Sequence, residues 1–317
     1  MNAPANKAQQ DAFARLMLNE NDINDFINNR DESDHANVKT PSAFLDDLLA
    51  HFEGGDIPGD CMPWQKTHNL IRFRHSELTI WNGINGHGKS NVLGQVILHL
   101  LSDRKACIAS LEMKPVTTLS RMIRQALGSR SPTSNYITKF VDHADGKLWL
   151  YDQQGTVSAG KVIGVMYYAA EKLGVEHFVV DSLMKCGIGE DDYNGQKRFV
   201  DQLCACAKDT QMHVHLVTHA KKTDNEYDTP GKMSVKGSGS ITDQADNVLT
   251  VWRNKKKEQK IAAGDTSDET AKLPDELICC DKQRNGEYEG KIALWFDVES
   301  MRYNENQRGI NHAMGEF

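Results

Sequence analysis

Gly83-Ile84-Asn85-Gly86-His87-Gly88-Lys89-Ser90 has the spacing GxxxxGK[ST], in which a short loop can wrap the phosphates of a nucleotide. That chemistry needs glycine at 83, 86 and 88, because backbone amides can then converge on phosphate oxygens without obstruction by Cβ atoms. It also needs a helix behind the loop, whose N-terminal end adds positive charge. Lys89 would reach the β- and γ-phosphates, and Ser90 would set its hydroxyl on Mg²⁺. The nucleotide-binding set expected from the pattern is Gly83, Asn85, Gly86, His87, Gly88, Lys89, Ser90 and Asn91. A chance glycine-rich turn is the alternative. Against it, residues 77–81 read as a short apolar, β-branched strand and residues 90–98 as the opening of a helix, the order strand, loop, helix that the motif requires.

Hydrolysis of a nucleotide asks for more: a second carboxylate for the metal, a group that activates water, and one that senses or neutralises the γ-phosphate. His177-Phe178-Val179-Val180-Asp181 is an apolar strand ending in an acid, a pattern that holds Mg²⁺ directly or through a water. The plainer reading makes Asp181 the cap of the next turn. Ser110-Leu111-Glu112-Met113 sets an acid at the end of the strand after the phosphate-loop helix. In a parallel sheet that end lies beside the γ-phosphate, where a carboxylate can polarise water. Spacing alone does not separate such a base from an ordinary turn acid.

The elements able to hold these groups alternate. Residues 105–110, 148–151, 177–181 and 213–218 read as strands, and residues 116–127, 158–173 and 196–209 as helices. The alternation predicts an α/β fold with a largely parallel sheet flanked by helices. Residues 248–252, 277–281 and 291–296 have no full helix between them and are expected as a hairpin-like extension at the sheet edge. Residues 221–236 and 255–276 read as exposed or disordered loops.

Residues 1–40 are polar and rich in Asn and Asp, with one amphipathic patch at Phe13, Leu16, Met17 and Leu18, and are expected to be mobile or to dock elsewhere. Thr40-Pro41 opens a short helix whose stripe of Phe44, Leu45, Leu48, Leu49 and Phe52 packs on its own domain or on a neighbouring subunit. The expected organisation is an extension and linker helix at 1–60, the nucleotide-binding domain at 61–300 and a tail at 301–317.

The chain has 317 residues, a formal charge of −7 and a pI near 5.9. This balance excludes a protein that coats nucleic acid by bulk charge, but not a local basic channel. Its seven cysteines include no CxxC pair at metal spacing and are expected as reduced thiols. With no signal-like apolar core, and no run near the roughly 18 apolar residues of a membrane span, the expectation is a soluble cytoplasmic protein.

Taken in order, the motifs resemble those of the RecA-like hexameric replicative helicases: the DnaB class and, more closely, the phage primase-helicases and Twinkle. The resemblance runs over residues 62–297. The segment at Glu112 looks like the one carrying the family's catalytic glutamate, and Val180-Asp181-Ser182-Leu183 like its Walker B strand. His215-Leu216-Val217-Thr218-His219-Ala220-Lys221-Lys222 resembles the sensor strand, which implies that His219 contacts the γ-phosphate and reports nucleotide state to the following loop. Alone, a histidine at a strand end is more often structural. Asp281-Lys282-Gln283-Arg284-Asn285-Gly286 looks like the family's Lys-x-Arg element. The resemblance makes Arg284 a finger in the neighbouring subunit's site, assisted by Lys282, whereas the residues alone read as a solvated turn.

Lys236-Gly237-Ser238-Gly239-Ser240-Ile241 resembles the family's glycine-serine motif on the DNA-facing side of the ring. With Lys221 and Lys222 it supplies the DNA-binding set Lys221, Lys222, Lys236, Gly237 and Ser238. Asp224, Glu226 and Asp228 make the same segment nearly neutral, so a solvated loop is the alternative. The resemblance implies a RecA-like ATPase using ATP or dTTP with Mg²⁺, assembled as a homo-oligomeric, hexameric ring that translocates on single-stranded DNA in replication. A separate primase or polymerase would be its partner, because residues 1–60 are too short for a priming module. Two rivals share the nucleotide site: a filament-forming recombinase, and a nucleotide-gated regulatory or loading ATPase without unwinding activity.

Overall fold

Runs of apolar residues long enough for a strand and closed by glycine or polar turns make the centre of this molecule a sheet. The computed structural model describes residues 39–53, 59–220 and 239–307. The expectations for the patch at Phe13, Leu16, Met17 and Leu18, and for the DNA-binding set Lys221, Lys222, Lys236, Gly237 and Ser238, lie outside the described residues. The chain divides into two units, Met1–Ile57 and Pro58–Phe317.

In the first unit Thr40 is extended and Pro41 starts a 3-10 turn, Pro41–Phe44, that runs into α1 (Leu45–Glu53). Its apolar stripe, Phe44, Leu45, Leu48, Leu49 and Phe52, is exposed.

In the second unit β1 (Leu78–Asn82), β2 (Ala106–Ser110), β3 (Leu148–Leu150), β4 (His177–Asp181), β5 (His213–Val217) and β6 (Asn247–Arg253) lie in the order β3-β2-β4-β5-β1-β6, all parallel. Every residue of β1, β2, β4 and β5 is buried, as a sheet covered on both faces demands. One face carries α2 (Lys89–Leu100), α3 (Pro115–Leu127) and α4 (Ser134–Ala144), whose Val96, Met122 and Phe140 share a core with Trp81, Val179 and Val217. The other is covered by α5 (Ala159–Tyr168), extended by a π-helical turn Ala169–Leu173, and by α6 (Tyr193–Thr210), which packs on β5 and β1.

The late strands depart from the expected hairpin extension. β6 joins the parallel sheet, with Thr79 opposite Asn247, and only β7 (Glu276–Gln283), β8 (Gly290–Asp297) and β9 (Arg302–Asn304) are antiparallel. The short helix α7 (Gly239–Gln244) precedes β6. Residues 255–276, expected as a loop, hold α8 (Lys255–Ala262) and α9 (Asp268–Lys272). Each has an N-cap: Asn254 accepts from the amide of Lys257 and Ser267 from that of Thr270.

The sheet also continues past residue 300, into the stretch expected as a tail. Tyr303 exchanges backbone hydrogen bonds with the Gln95 side chain, and buried Arg302 donates from Nη2 to the Ala126 carbonyl at the end of α3 over 2.7 Å. These bonds leave the last strand nothing to gain by detaching.

Candidate nucleotide site

The carboxyl ends of β1, β2, β4 and β5 meet at one edge of the sheet, where a doubly covered parallel sheet binds its ligand. β1 runs into the loop 83–88, and α2 begins at Lys89. Gly83 has φ +150° and Gly88 φ +77°, and a Cβ on Gly83 would collide with the carbonyl of Val251 on β6. Three bonds tie the loop's start to the segment after β5 and to its own lysine. Ala220 donates its amide to the Gly83 carbonyl over 3.0 Å, and Lys89 Nζ donates to the carbonyls of Gly83 and Ile84 at 2.8 and 3.1 Å. Burial pushes the Lys89 ammonium down to about 8, opposed by the charges of Asp181 and Glu112.

Asn85 and Gly86 are exposed at the loop's tip, and Asn85 lines a cleft of about 880 Å³ with Ile84, Glu112, Lys185 and His219. Two residues of the expected nucleotide-binding set face inward. His87 is buried, and its Nδ1 accepts the backbone amide of Arg253 at 3.2 Å. Asn91 donates its side-chain amide to the Met301 carbonyl and accepts from Gln125, so it braces α2 against the turn before β9.

The two acids lie together beside the loop. Ser90 Oγ donates to Asp181 Oδ2 over 2.6 Å at the end of β4. Burial pushes the Asp181 carboxyl up, Glu112 adds to the rise, and the Ser90 hydroxyl and Lys89 charge oppose it. A buried carboxylate bonded by a hydroxyl, with a phosphate loop beside it, is a hard-oxygen donor set that suits Mg²⁺.

Glu112 is held by its backbone neighbours: Leu111 donates to the Asp181 carbonyl at 2.8 Å and accepts from the Gly155 amide at 3.0 Å. Its carboxylate accepts from Ser182 Oγ at 2.8 Å and lies 3.7 Å from His219 Nε2. His219 is chiefly responsible for lowering the Glu112 carboxyl to about 2, with help from Ser182 and Lys185 and against the effect of burial. Ser182 and Lys185 escaped the sequence reading, the first because a serine after the strand-end acid carries no pattern of its own.

Lys282 and Arg284 are not in this cluster. They end β7 at the opposite edge, where Gln283 faces Asn247, the first residue of β6. At about 3.3 Å per residue, the strand between the edges spans on the order of 20 Å. Lys282 Nζ donates to the carbonyls of Thr242, Asp243 and Ala245, and half-exposed Arg284 pairs with Asp246 at 3.1 Å. Neither can reach the phosphate loop of its own chain. Of the basic residues near β6, Lys257 is buried against Asp275 at 2.7 Å and Arg253 is paired with Glu258.

The family model for the DnaB-like helicase C-terminal domain matches residues 68–305. A DnaB-like replicative helicase whose structure was solved to examine its interactions with primase superposes with a TM-score of 0.66 at 15% identity, over 84% of this chain and 67% of that one. A second solved structure, of an isolated ATPase domain, superposes with a TM-score of 0.71 at 13% identity, over 84% of this chain and 98% of that domain. No curated protein matches the chain by sequence search. At these identities the superpositions establish the shared fold, while the family match spans the phosphate loop, both acids, His219 and Arg284. The chain belongs to the family of DnaB-like helicase C-terminal domains.

Proposed function

We propose that this chain is an ATP-hydrolysing ring helicase that moves along single-stranded DNA during replication. One observation carries the reading. Lys89, Ser90, Asp181, Glu112 and His219 gather at one edge of the sheet while Lys282 and Arg284 stand at the other. That separation supports active sites shared between neighbouring subunits, which a closed ring, expected to be hexameric, would complete. The exposed stripe on α1 suits a linker helix that packs on a neighbouring subunit.

Mg²⁺ would be held by Ser90 and Asp181 and would neutralise charge on the phosphates of bound ATP or dTTP. The residues of the chain do the rest. The amides of the loop 83–88 and Lys89 bind the phosphates, Glu112 orients and polarises the attacking water, and His219 senses the γ-phosphate. Arg284 of one subunit, with Lys282, stabilises charge developing in its neighbour's site. The segment carrying Lys221, Lys222, Lys236, Gly237 and Ser238 follows the sensor strand and would contact the DNA backbone. A primase is the partner class that the solved DnaB-like helicase suggests.

Steady-state ATP hydrolysis with and without unstructured single-stranded DNA, on wild type and Glu112→Gln, tests the reading. Strong stimulation that the substitution removes is the expected result. Hydrolysis indifferent to DNA would turn the assignment to a regulatory ATPase.

A further inference from the structure

Gly88, the last glycine before Lys89, rests on a carboxyl group. A Cβ at this position would collide with both Glu276 Oε1 and the Tyr303 hydroxyl, so the loop lies directly on these oxygens. Glu276 and Tyr303 are 2% and 3% exposed. The Tyr303 hydroxyl donates to the Glu276 carboxyl and is itself bonded by the Asn91 side chain on α2. Glu276 Oε1 has no hydrogen-bond partner among the described residues.

The charged neighbours do not compensate an anion there. Arg253 on β6, whose charge favours ionisation, is paired with Glu258 on α8, and Asp275 and Glu258 both oppose ionisation. Lys89 sends its ammonium to the Gly83 and Ile84 carbonyls, and the His87 ring accepts from the Arg253 backbone. Burial is the main cause that pushes the Glu276 carboxyl up to about 8, against the Tyr303 bond and the Arg253 charge.

We propose that Glu276 is a positioning residue for the phosphate loop that takes up a proton from solvent when a nucleotide binds, its neutral carboxyl supporting Gly88 where an anion would repel the incoming phosphates. The inference rests on the nucleotide reading of the loop. Linkage fixes the sign: phosphates above Gly88 favour the protonated acid, so affinity falls as pH rises through the carboxyl's range in the free protein.

The test is calorimetric titration of the full-length chain with Mg·ADP, at about pH 8, in two buffers of different ionisation enthalpy, with affinities followed from about pH 7 to about pH 9. Wild type should take up a substantial fraction of a proton and lose up to about tenfold in affinity over that range. Glu276→Gln should take up less and show a shallower pH dependence, the remainder belonging to Lys89. Should Glu276→Gln fold poorly, Glu276→Leu suits the buried strand and makes the same comparison. Equal uptake and equal slopes in wild type and variant would overturn the proposal, and so would zero uptake by wild type. No binding of Mg·ADP by wild type would overturn the nucleotide reading itself and this inference with it.

Discussion

His219 Nε2 lies 3.7 Å from Glu112 Oε1, and Ser182 Oγ bonds to both side chains, at 2.8 Å from the carboxylate and 3.3 Å from the imidazole. A carboxylate lowered to about 2 in this way orients water well but accepts a proton reluctantly, so its basicity depends on where His219 is engaged. Replacing His219 by Asn removes the largest cause of the shift. The Glu112 carboxyl should then titrate closer to its ordinary 4.5, as read by carbon-13 NMR of the labelled side chain. An unmoved titration would show that Ser182 and Lys185 hold it alone. Glu112→Gln should cost roughly 100-fold or more in turnover while nucleotide affinity is kept.

Asp181 works against the stability of the fold it serves. Its carboxyl is buried beside Glu112, and both burial and that neighbour raise it above the ordinary carboxyl range, so ionisation is disfavoured in the native state. Asp181→Asn keeps an acceptor for Ser90 and removes the charge. We expect a melting temperature a few degrees higher, corresponding to roughly 1 kcal/mol, together with loss of Mg²⁺-dependent nucleotide binding. A lower melting temperature would mean that the anion is compensated within the native fold.

Much of the site was legible because it is local. The strand, loop and helix around Lys89 are contiguous, Asp181 ends β4, and Glu112 follows the end of β2 by two residues. What stayed hidden depends on contacts distant in sequence. Gly88 meets Tyr303 only because β9 folds back onto α2, and nothing near either residue announces the other. α4 was missed although Thr133 caps it, since Phe140 and Ala144 alone of its residues are buried and make too faint a period. For α8 the polar run of lysines hid the Asn254 cap, and the buried partner of Lys257 is Asp275, well downstream.

Arg284 offers a test of subunit sharing that does not depend on DNA. Its side chain is half exposed and its partner Asp246, though buried, keeps the Leu78 amide as a donor, so Arg284→Ala should cost about 1–2 kcal/mol of stability. Turnover should nevertheless be lost with nucleotide affinity kept. Mixing Arg284→Ala with Glu112→Gln chains creates interfaces in which one subunit supplies an intact Glu112 and the other an intact Arg284. Hydrolysis should therefore recover in part, and mixtures as inactive as either variant would refute the shared site.

Acid sensitivity should come from a different place, the chain of histidines at the amino ends of β4 and β5. Trp81 Nε1 donates to His215 Nδ1 at 3.2 Å, which leaves the His215 proton on Nε2 to meet His177 Nδ1 at 3.2 Å. His177 Nε2 then donates to Asp60 at 3.0 Å, and Arg104 holds the same carboxylate. His213 donates from Nδ1 to the Arg74 carbonyl at 2.6 Å and accepts from Thr79 at 2.9 Å. The bonds that Trp81 and Thr79 donate require unprotonated acceptor nitrogens on His215 and His213. Burial pushes His213 down to about 3 and His215 well below 6.5, with the neighbouring imidazoles adding to both shifts. As pH falls below 6.5 the unfolded chain therefore binds protons that the native chain refuses, and stability falls. Two such histidines cost together about 3 kcal/mol between about pH 6.5 and about pH 5. Asp60 and Glu112, both lowered to about 2, add little in that window, whereas Glu276, raised to about 8, binds a proton there that the unfolded chain does not and offsets up to about 2 kcal/mol of the loss. Urea midpoints measured across the window should fall for wild type and fall clearly less for His213→Gln, whatever that variant's starting stability. Equal slopes would place the acid sensitivity outside these histidines.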